Sequence, residues 1–173
     1  HKRMKLWHST KGFERMDRFR SLENESILLV ENDPTIRDTL TAAFGRIGCR
    51  VKGFDSAEAG LVEFKSQPFS VVISDFKLPG MDGLTFLREV MTRGDNIVKI
   101  LISGYADNKT VAESRKIDVD AVLDKPFTLE SLFNILQEKI EDRKVSNGPS
   151  GYAVATRTEA PNTNTMSERT KGG

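Results

Sequence analysis

Two kinds of segment alternate along the chain when it is read for apolar and polar positions. Short apolar, β-branched runs stand at Ile27–Val30, Val71–Ser74, Val98–Ile102 and Val119–Leu123, with a weaker run around Cys49–Phe54. The strong runs are apolar at consecutive positions, the pattern of strands covered on both faces. Between them the spacing is helical. Ile36, Leu40, Ala43, Phe44 and Ile47 fall on one helix face, and Leu129, Leu132, Phe133, Leu136 and Ile140 on another. Start signals agree: Asp33 precedes Pro34, which suits the first helical position, and Thr128 can cap the last helix. Five strands alternating with five helices predict an α/β fold with a doubly wound parallel sheet.

Such sheets place function in the crevice beyond the carboxyl ends of the strands. The residues there are Glu31, Asn32 and Asp33; Asp75; Ser103 and Gly104; and Asp124 and Lys125. Three carboxylates (Glu31, Asp33, Asp75), an amide, a hydroxyl and an ammonium group are expected to converge. A buried cluster of negative charge is costly unless a cation neutralises it, and hard oxygen ligands suit magnesium. Magnesium in turn points to phosphoryl chemistry. An aspartate can take a phosphoryl group as a nucleophile, with lysine and metal balancing the charge on its oxygens and a hydroxyl donating to one of them. Asp75, Lys125 and Ser103 fit those roles. Asp33 keeps two readings, a helix cap or a metal neighbour. Asp82 and Gly83 read as loop-shaping, and Cys49 as a small buried strand residue.

Composition changes this picture at the ends of the chain. Of 173 residues, 38% are hydrophobic and 29% charged, which suits one globular domain. The net charge of +1 excludes a strongly basic nucleic-acid binder and an acidic disordered chain. That total conceals a basic stretch over residues 1–25, with seven basic and four acidic groups, and a mildly acidic middle. Residues 1–25 carry scattered apolar side chains without a period and read as a poorly ordered or tag-derived leader, in which Met16 is a candidate natural start. Residues 144–173 shift to Ser, Asn, Thr, Gly and Pro, bury too little apolar surface to offset ordering, and are expected to be disordered. One cysteine rules out an internal disulfide. No apolar run approaches the roughly 20 residues that cross a bilayer, and a reducing, cytoplasmic setting without membrane association is the default.

Four runs together resemble a known family. Ile27-Leu28-Leu29-Val30-Glu31-Asn32-Asp33-Pro34, Val72-Ile73-Ser74-Asp75-Phe76-Lys77-Leu78-Pro79-Gly80-Met81-Asp82-Gly83, Ile102-Ser103-Gly104 and Leu123-Asp124-Lys125-Pro126-Phe127 look like the receiver domain of bacterial two-component response regulators, over about residues 26–141. The resemblance implies a flavodoxin-like, three-layer fold with strand order 2-1-3-4-5, in a domain taken as residues 26–143. It makes Asp75 the phosphoacceptor and assigns magnesium to Glu31, Asn32, Asp75 and the backbone carbonyl of Lys77. Ser103 matches the switch hydroxyl and Lys125 the ion-pairing lysine. The Lys125-Pro126 bond is expected to be cis. The implied donor is a histidine kinase or phosphotransfer protein, and the output is binding to a downstream protein rather than to nucleic acid. A homodimer through the fourth helix, fifth strand and fifth helix is one option.

Two positions depart from the family. Asn32 stands where a second acidic residue is usual, which should weaken magnesium binding, and Val122 stands where the switch aromatic usually sits. Lys77 and Tyr105 flank the expected path of the hydrolytic water and should tune the lifetime of the phosphorylated state, with Tyr105 shielding the site and slowing its loss. The leading reading is a phosphorylation switch that is not an enzyme beyond its own phosphorylation and dephosphorylation. The alternatives are a pseudo-receiver that takes no phosphate, and a receiver cut from a hybrid kinase or transcription factor. A small-molecule aspartyl-phosphate hydrolase is disfavoured, because it needs an acid where Lys77 stands.

Overall fold

The apolar runs form a five-stranded parallel sheet. The computed structural model describes residues 18–92, 96–104 and 116–146. A single 3-10 turn, Arg20–Leu22, precedes β1 (Ser26–Val30), α1 (Pro34–Ile47), β2 (Arg50–Phe54), α2 (Ala57–Ser66), β3 (Val71–Asp75), α3 (Gly83–Met91), β4 (Val98–Ser103), β5 (Ala121–Asp124) and α4 (Leu129–Ser146). The sheet order is β2-β1-β3-β4-β5, with every pairing parallel. Four α-helices are present among the described residues where five were expected. Residues 105–115, between β4 and β5, lie outside the described residues, and so do the expectations that fall on them, a fifth helix and the role of Tyr105.

Alternation at period two divides the core into two layers. Ile27, Leu29, Val71, Ile73, Ile100 and Ile102 face α1 and α4, where Leu40, Phe44, Leu132 and Leu136 close the first layer. Leu28, Val30, Val72 and Leu101 face the other way, onto Phe64, Phe86, Leu87 and Val90 of α2 and α3. β1, β3 and β4 are buried nearly throughout, whereas the edge strand β2 has only exposed and half-buried positions. The last run was expected to be covered on both faces, but β5 is the other edge. Ala121 and Val122 are half-buried and Asp124 is exposed. The strand also begins at Ala121 rather than Val119.

Ordered structure is present on both sides of the 26–143 stretch. The stretch assigned to a leader ends in residues that belong to the core, with Phe19 4% and Leu22 1% exposed. The Phe19 ring meets Phe133 edge-on at 5.2 Å, and Phe133 meets Phe44 at 5.1 Å. Burying each of two such side chains stabilises by about 1.5–3 kcal/mol, which holds this aperiodic segment against α4. Glu25 reinforces it with Arg143 at 3.1 Å. At the other end α4 runs to Ser146, two residues beyond the point where the tail was expected to begin.

Local signals set the helix starts that aim the site. Asp33 accepts hydrogen bonds from the backbone N–H of Thr35 at 2.8 Å and Ile36 at 3.3 Å, with Pro34 in the first turn. At α4 the Thr128 hydroxyl accepts from Ser131 N–H while the Ser131 hydroxyl accepts from Thr128 N–H, both at 3.1 Å. This is a reciprocal cap. No helix among the described residues is long and apolar enough to cross a membrane.

Candidate functional site

The site lies at the carboxyl ends of β1, β3, β4 and β5. Glu31 follows β1 and is 1% exposed; Asp75 ends β3 and is 5% exposed; Ser103 ends β4 and is 1% exposed. Two backbone hydrogen bonds carry the sheet past its strands, from Phe76 N–H to Ile102 O and from Lys125 N–H to Ser103 O, each 2.7 Å. They hold the segments bearing Asp75, Ser103 and Lys125 side by side. The Lys125-Pro126 peptide bond is cis.

Lys125 Nζ stands between the two buried carboxylates, 2.8 Å from Glu31 Oε2 and 3.0 Å from Asp75 Oδ1. The other Glu31 oxygen accepts from Asp33 N–H at 3.0 Å, and the Glu31 carbonyl accepts from Arg37 at 2.8 Å. Burial raises the Asp75 carboxyl above its ordinary value; the Lys125 hydrogen bond opposes this, and the Glu31 charge adds to it. Burial pulls the Lys125 ammonium down, but its hydrogen bonds to Glu31 and Asp75 outweigh that and leave its pKa raised. Two acids therefore share one base, with one negative charge in excess.

The loop after Asp75 is built by contacts far apart in sequence. Gly80 has φ +75°, a conformation that favours glycine. Glu58 of α2 accepts from Met81 N–H at 2.9 Å. Asp82 caps α3 by accepting from Thr85 N–H at 2.7 Å. Gly83 donates to Phe76 O at 3.0 Å, and a Cβ at this position would stand 2.0 Å from the Asp75 carbonyl oxygen. Only glycine lets α3 approach the strand end so closely. Sequence reading reduced Gly83 to loop shape and missed Glu58, whose partner lies 23 residues away.

The other expected residues divide. Asn32 and Lys77 are exposed on the loops flanking the carboxylates. Val122 is half-buried against the second core layer, opposite Leu101 in the β4–β5 register. Asp33 is drawn into the α1 cap, so the expected three-carboxylate cluster reduces to a Glu31–Asp75 pair. Among the described residues no group of three His, Cys, Asp or Glu side chains could hold a metal. The donor chemistry nevertheless fits a hard cation: Glu31 and Asp75 supply a carboxylate pair, and Asn32 and Lys77, close to them in sequence, offer an amide oxygen and a backbone carbonyl.

Comparison with known proteins agrees with this geometry. The probable chemotaxis protein CheY of Rhizobium etli is 31% identical, with 64% of this chain covering 88% of that one. The C4-dicarboxylate transport transcriptional regulatory protein DctD of Pseudomonas aeruginosa is 29% identical over 77% of this chain, but the match spans only 29% of that regulator. The transcriptional regulatory protein FixJ of Bradyrhizobium diazoefficiens is 27% identical, with 62% of its length matched. Among solved structures, a CheY-like receiver domain protein from Methanospirillum hungatei superimposes with a TM-score of 0.69 at 26% identity, over 72% of this chain and 99% of that one. The family model for the response regulator receiver domain matches residues 27–137. With the sheet order, the paired carboxylates and this match in agreement, the chain belongs to the response regulator receiver domain family.

Proposed function

We propose that the domain accepts a phosphoryl group on Asp75 from a histidine kinase or phosphotransfer protein, in the cytoplasm, and thereby switches a protein-binding surface. The observation that carries this reading is Lys125 bridging Glu31 and Asp75 at the strand ends. An Asp75 oxygen attacks the donor phosphorus, the phosphorus–nitrogen bond of the donor breaks, and the electron pair leaves with the imidazole. Lys125 keeps Asp75 ionised against its burial and then faces the charge of the new acyl phosphate. Ser103, buried at the next strand end, supplies a hydroxyl donor to a phosphoryl oxygen.

Magnesium held by Glu31, Asn32, Asp75 and the Lys77 carbonyl would supply charge neutralisation on the phosphoryl oxygens. Lys77 and Tyr105 are assigned to the lifetime of the product. With Val122 at the position of the usual switch aromatic, coupling to the output face runs through the segment after Ser103. An apolar groove of about 530 Å³ bordered by Lys125 and Phe127 gives a protein donor a seat beside the phosphoacceptor. The chain spans under a third of DctD and 62% of FixJ, so an output domain supplied by a longer transcription factor or hybrid kinase fits equally with this reading.

Incubation with acetyl phosphate and magnesium, followed by intact-mass measurement, tests the proposal. A phosphate-sized gain that disappears in Asp75→Ala is the expected result. The exposed amide of Asn32, one charge short of the usual acidic pair, favours a second reading, a pseudo-receiver that binds its partners without phosphate. Absence of any gain with both acetyl phosphate and a histidine-phosphorylated donor protein would select it.

A further inference from the structure

The backbone that carries Glu31 and Asn32 is held from outside the site. Glu31 N–H donates to the Phe54 carbonyl at 3.0 Å, which continues the β1–β2 pairing beyond its last pair, Val30 with Phe54. The Glu31 carbonyl accepts from the Arg37 guanidinium at 2.8 Å. That carbonyl belongs to the planar peptide unit joining Glu31 to Asn32, so its orientation sets the direction in which Asn32 leaves the strand end. The Glu31 side chain is fixed separately, by Asp33 N–H and Lys125.

Arg37 reaches that carbonyl by passing over Gly53. It is half-buried, near the start of α1, and a Cβ at residue 53 would stand 3.1 Å from its Cγ and 3.3 Å from its Cδ. Both are closer than the roughly 3.5–4.0 Å at which carbon atoms rest. Glycine inside a strand weakens it and often marks a close approach. In β2 the approaching group is the arginine stem, which a side chain at residue 53 would push away. Charge does not explain an arginine here, because a positive group bonded to the backbone of one proposed ligand repels a cation. Its geometry does, since a charged donor makes a stronger hydrogen bond to a carbonyl than a neutral one.

We propose that Arg37 is a positioning residue for the cation site. Through the Glu31 carbonyl it fixes the peptide unit from which Asn32 projects, and Gly53 leaves its stem the passage to do so. The proposal rests on the reading that Glu31 and Asn32 hold magnesium for phosphoryl transfer to Asp75.

Calorimetric titration of the full chain with magnesium chloride, beside amide spectra and thermal melts of the metal-free protein, tests it. Arg37→Ala should weaken magnesium binding by about 10-fold, as loss of a group that orients metal ligands does. Charge alone predicts the reverse, because removing a positive group beside a cation site strengthens binding. Affinity that is unchanged or tighter in Arg37→Ala therefore overturns the proposal, and a lowered melting midpoint with wild-type affinity makes the residue structural only and overturns it as well. Gly53→Val keeps the arginine but crowds its stem. It should weaken binding in the same direction while the midpoint stays at or above that of wild type, since valine suits a strand better than glycine. In the metal-free protein the Asn32 backbone amide signal should move in both variants, and an unmoved signal overturns the proposal. Should Arg37→Ala fail to fold, Gly53→Val decides, and wild-type affinity there is the refuting result. A wild type that binds no magnesium overturns the functional reading and this inference with it, whereas a wild type that binds and variants that bind equally well overturn this inference alone.

Discussion

Lys125 Nζ sits 2.8 Å from Glu31 Oε2 and 3.0 Å from Asp75 Oδ1, so one ammonium neutralises one of two buried carboxylates and leaves the other in excess. Removing the base should be costly. Lys125→Ala leaves both acids buried without a cation, and breaking a buried pair in this way costs about 3–5 kcal/mol. Urea unfolding of the variant should show this loss at pH 7 and a smaller one at acidic pH, where Asp75 takes up a proton. An equal loss at both values would mean that the two acids are not electrostatically coupled through Lys125.

Removing one acid should do the opposite. The folded pKa of Asp75 is raised above its unfolded value of 3.8, so its favourable contribution is present below that value and lost as pH rises through the folded pKa. At neutral pH the ionised Asp75 therefore opposes folding. Asp75→Asn leaves a neutral Glu31–Lys125 pair and should stabilise the metal-free domain by about 1 kcal/mol. Thermal melts in chelator at pH 7 check the sign, and a lowered midpoint would refute the charge accounting.

Gly83 makes the position of Asp75 intolerant of any side chain. Gly83→Ala would place its Cβ 2.0 Å from the Asp75 carbonyl oxygen, backbone that cannot swing aside. Overpacking of this kind costs about 3 kcal/mol. Denaturation should register that loss, and whatever folded fraction remains should phosphorylate more slowly than wild type. Wild-type stability in the variant would show that the loop after Asp75 relaxes freely.

Asn32 offers an amide oxygen where an acid would add charge. Asn32→Asp should bind magnesium more tightly by calorimetry, because a second acidic ligand strengthens a hard-cation site. It should also lower the stability of the metal-free domain, since Asp75 and Glu31 are already in excess over Lys125. Unchanged magnesium affinity would remove residue 32 from the metal site.

Cys49 gives a pH effect remote from the site. Burial, with the Glu25 charge adding to it, pushes its thiol up to about 11 from 9.0, and its Sγ donates to the Leu22 carbonyl at 3.2 Å. The neutral thiol is thus favoured in the folded state, and the stability it contributes is complete below pH 9 and declines as pH rises toward 11. Alkylation of the folded protein at pH 8 should be slow and should accelerate on unfolding. Rapid modification in the absence of denaturant would contradict the buried, protonated thiol.

Much of the fold was legible because its determinants are local. The consecutive apolar residues of β1, β3 and β4, the Asp33-Pro34 start of α1 and the Thr128 start of α4 each carry their structural instruction within a few positions. The last strand was misjudged because Val119, Val122 and Leu123 look the same whether a strand is central or at an edge. Pairing partners decide that. The segment holding Phe19 and Leu22 looked like a leader because two apolar residues, one before and one within a 3-10 turn, have no period to detect. Their role exists only once Phe133 and Phe44 are packed beside them.

The candidate site divides along the same line. Strand ends in a doubly wound sheet are a topological place, so the sequence by itself determined that Glu31, Asp75, Ser103 and Lys125 stand at strand ends. Charge balance within that place depends on distance and burial, which only the tertiary structure decided. It turned Asp33 away into a helix cap, set one lysine between two acids, and brought α3 onto the Asp75 backbone at Gly83. It also held the loop between them with Glu58, a contact between residues 23 positions apart.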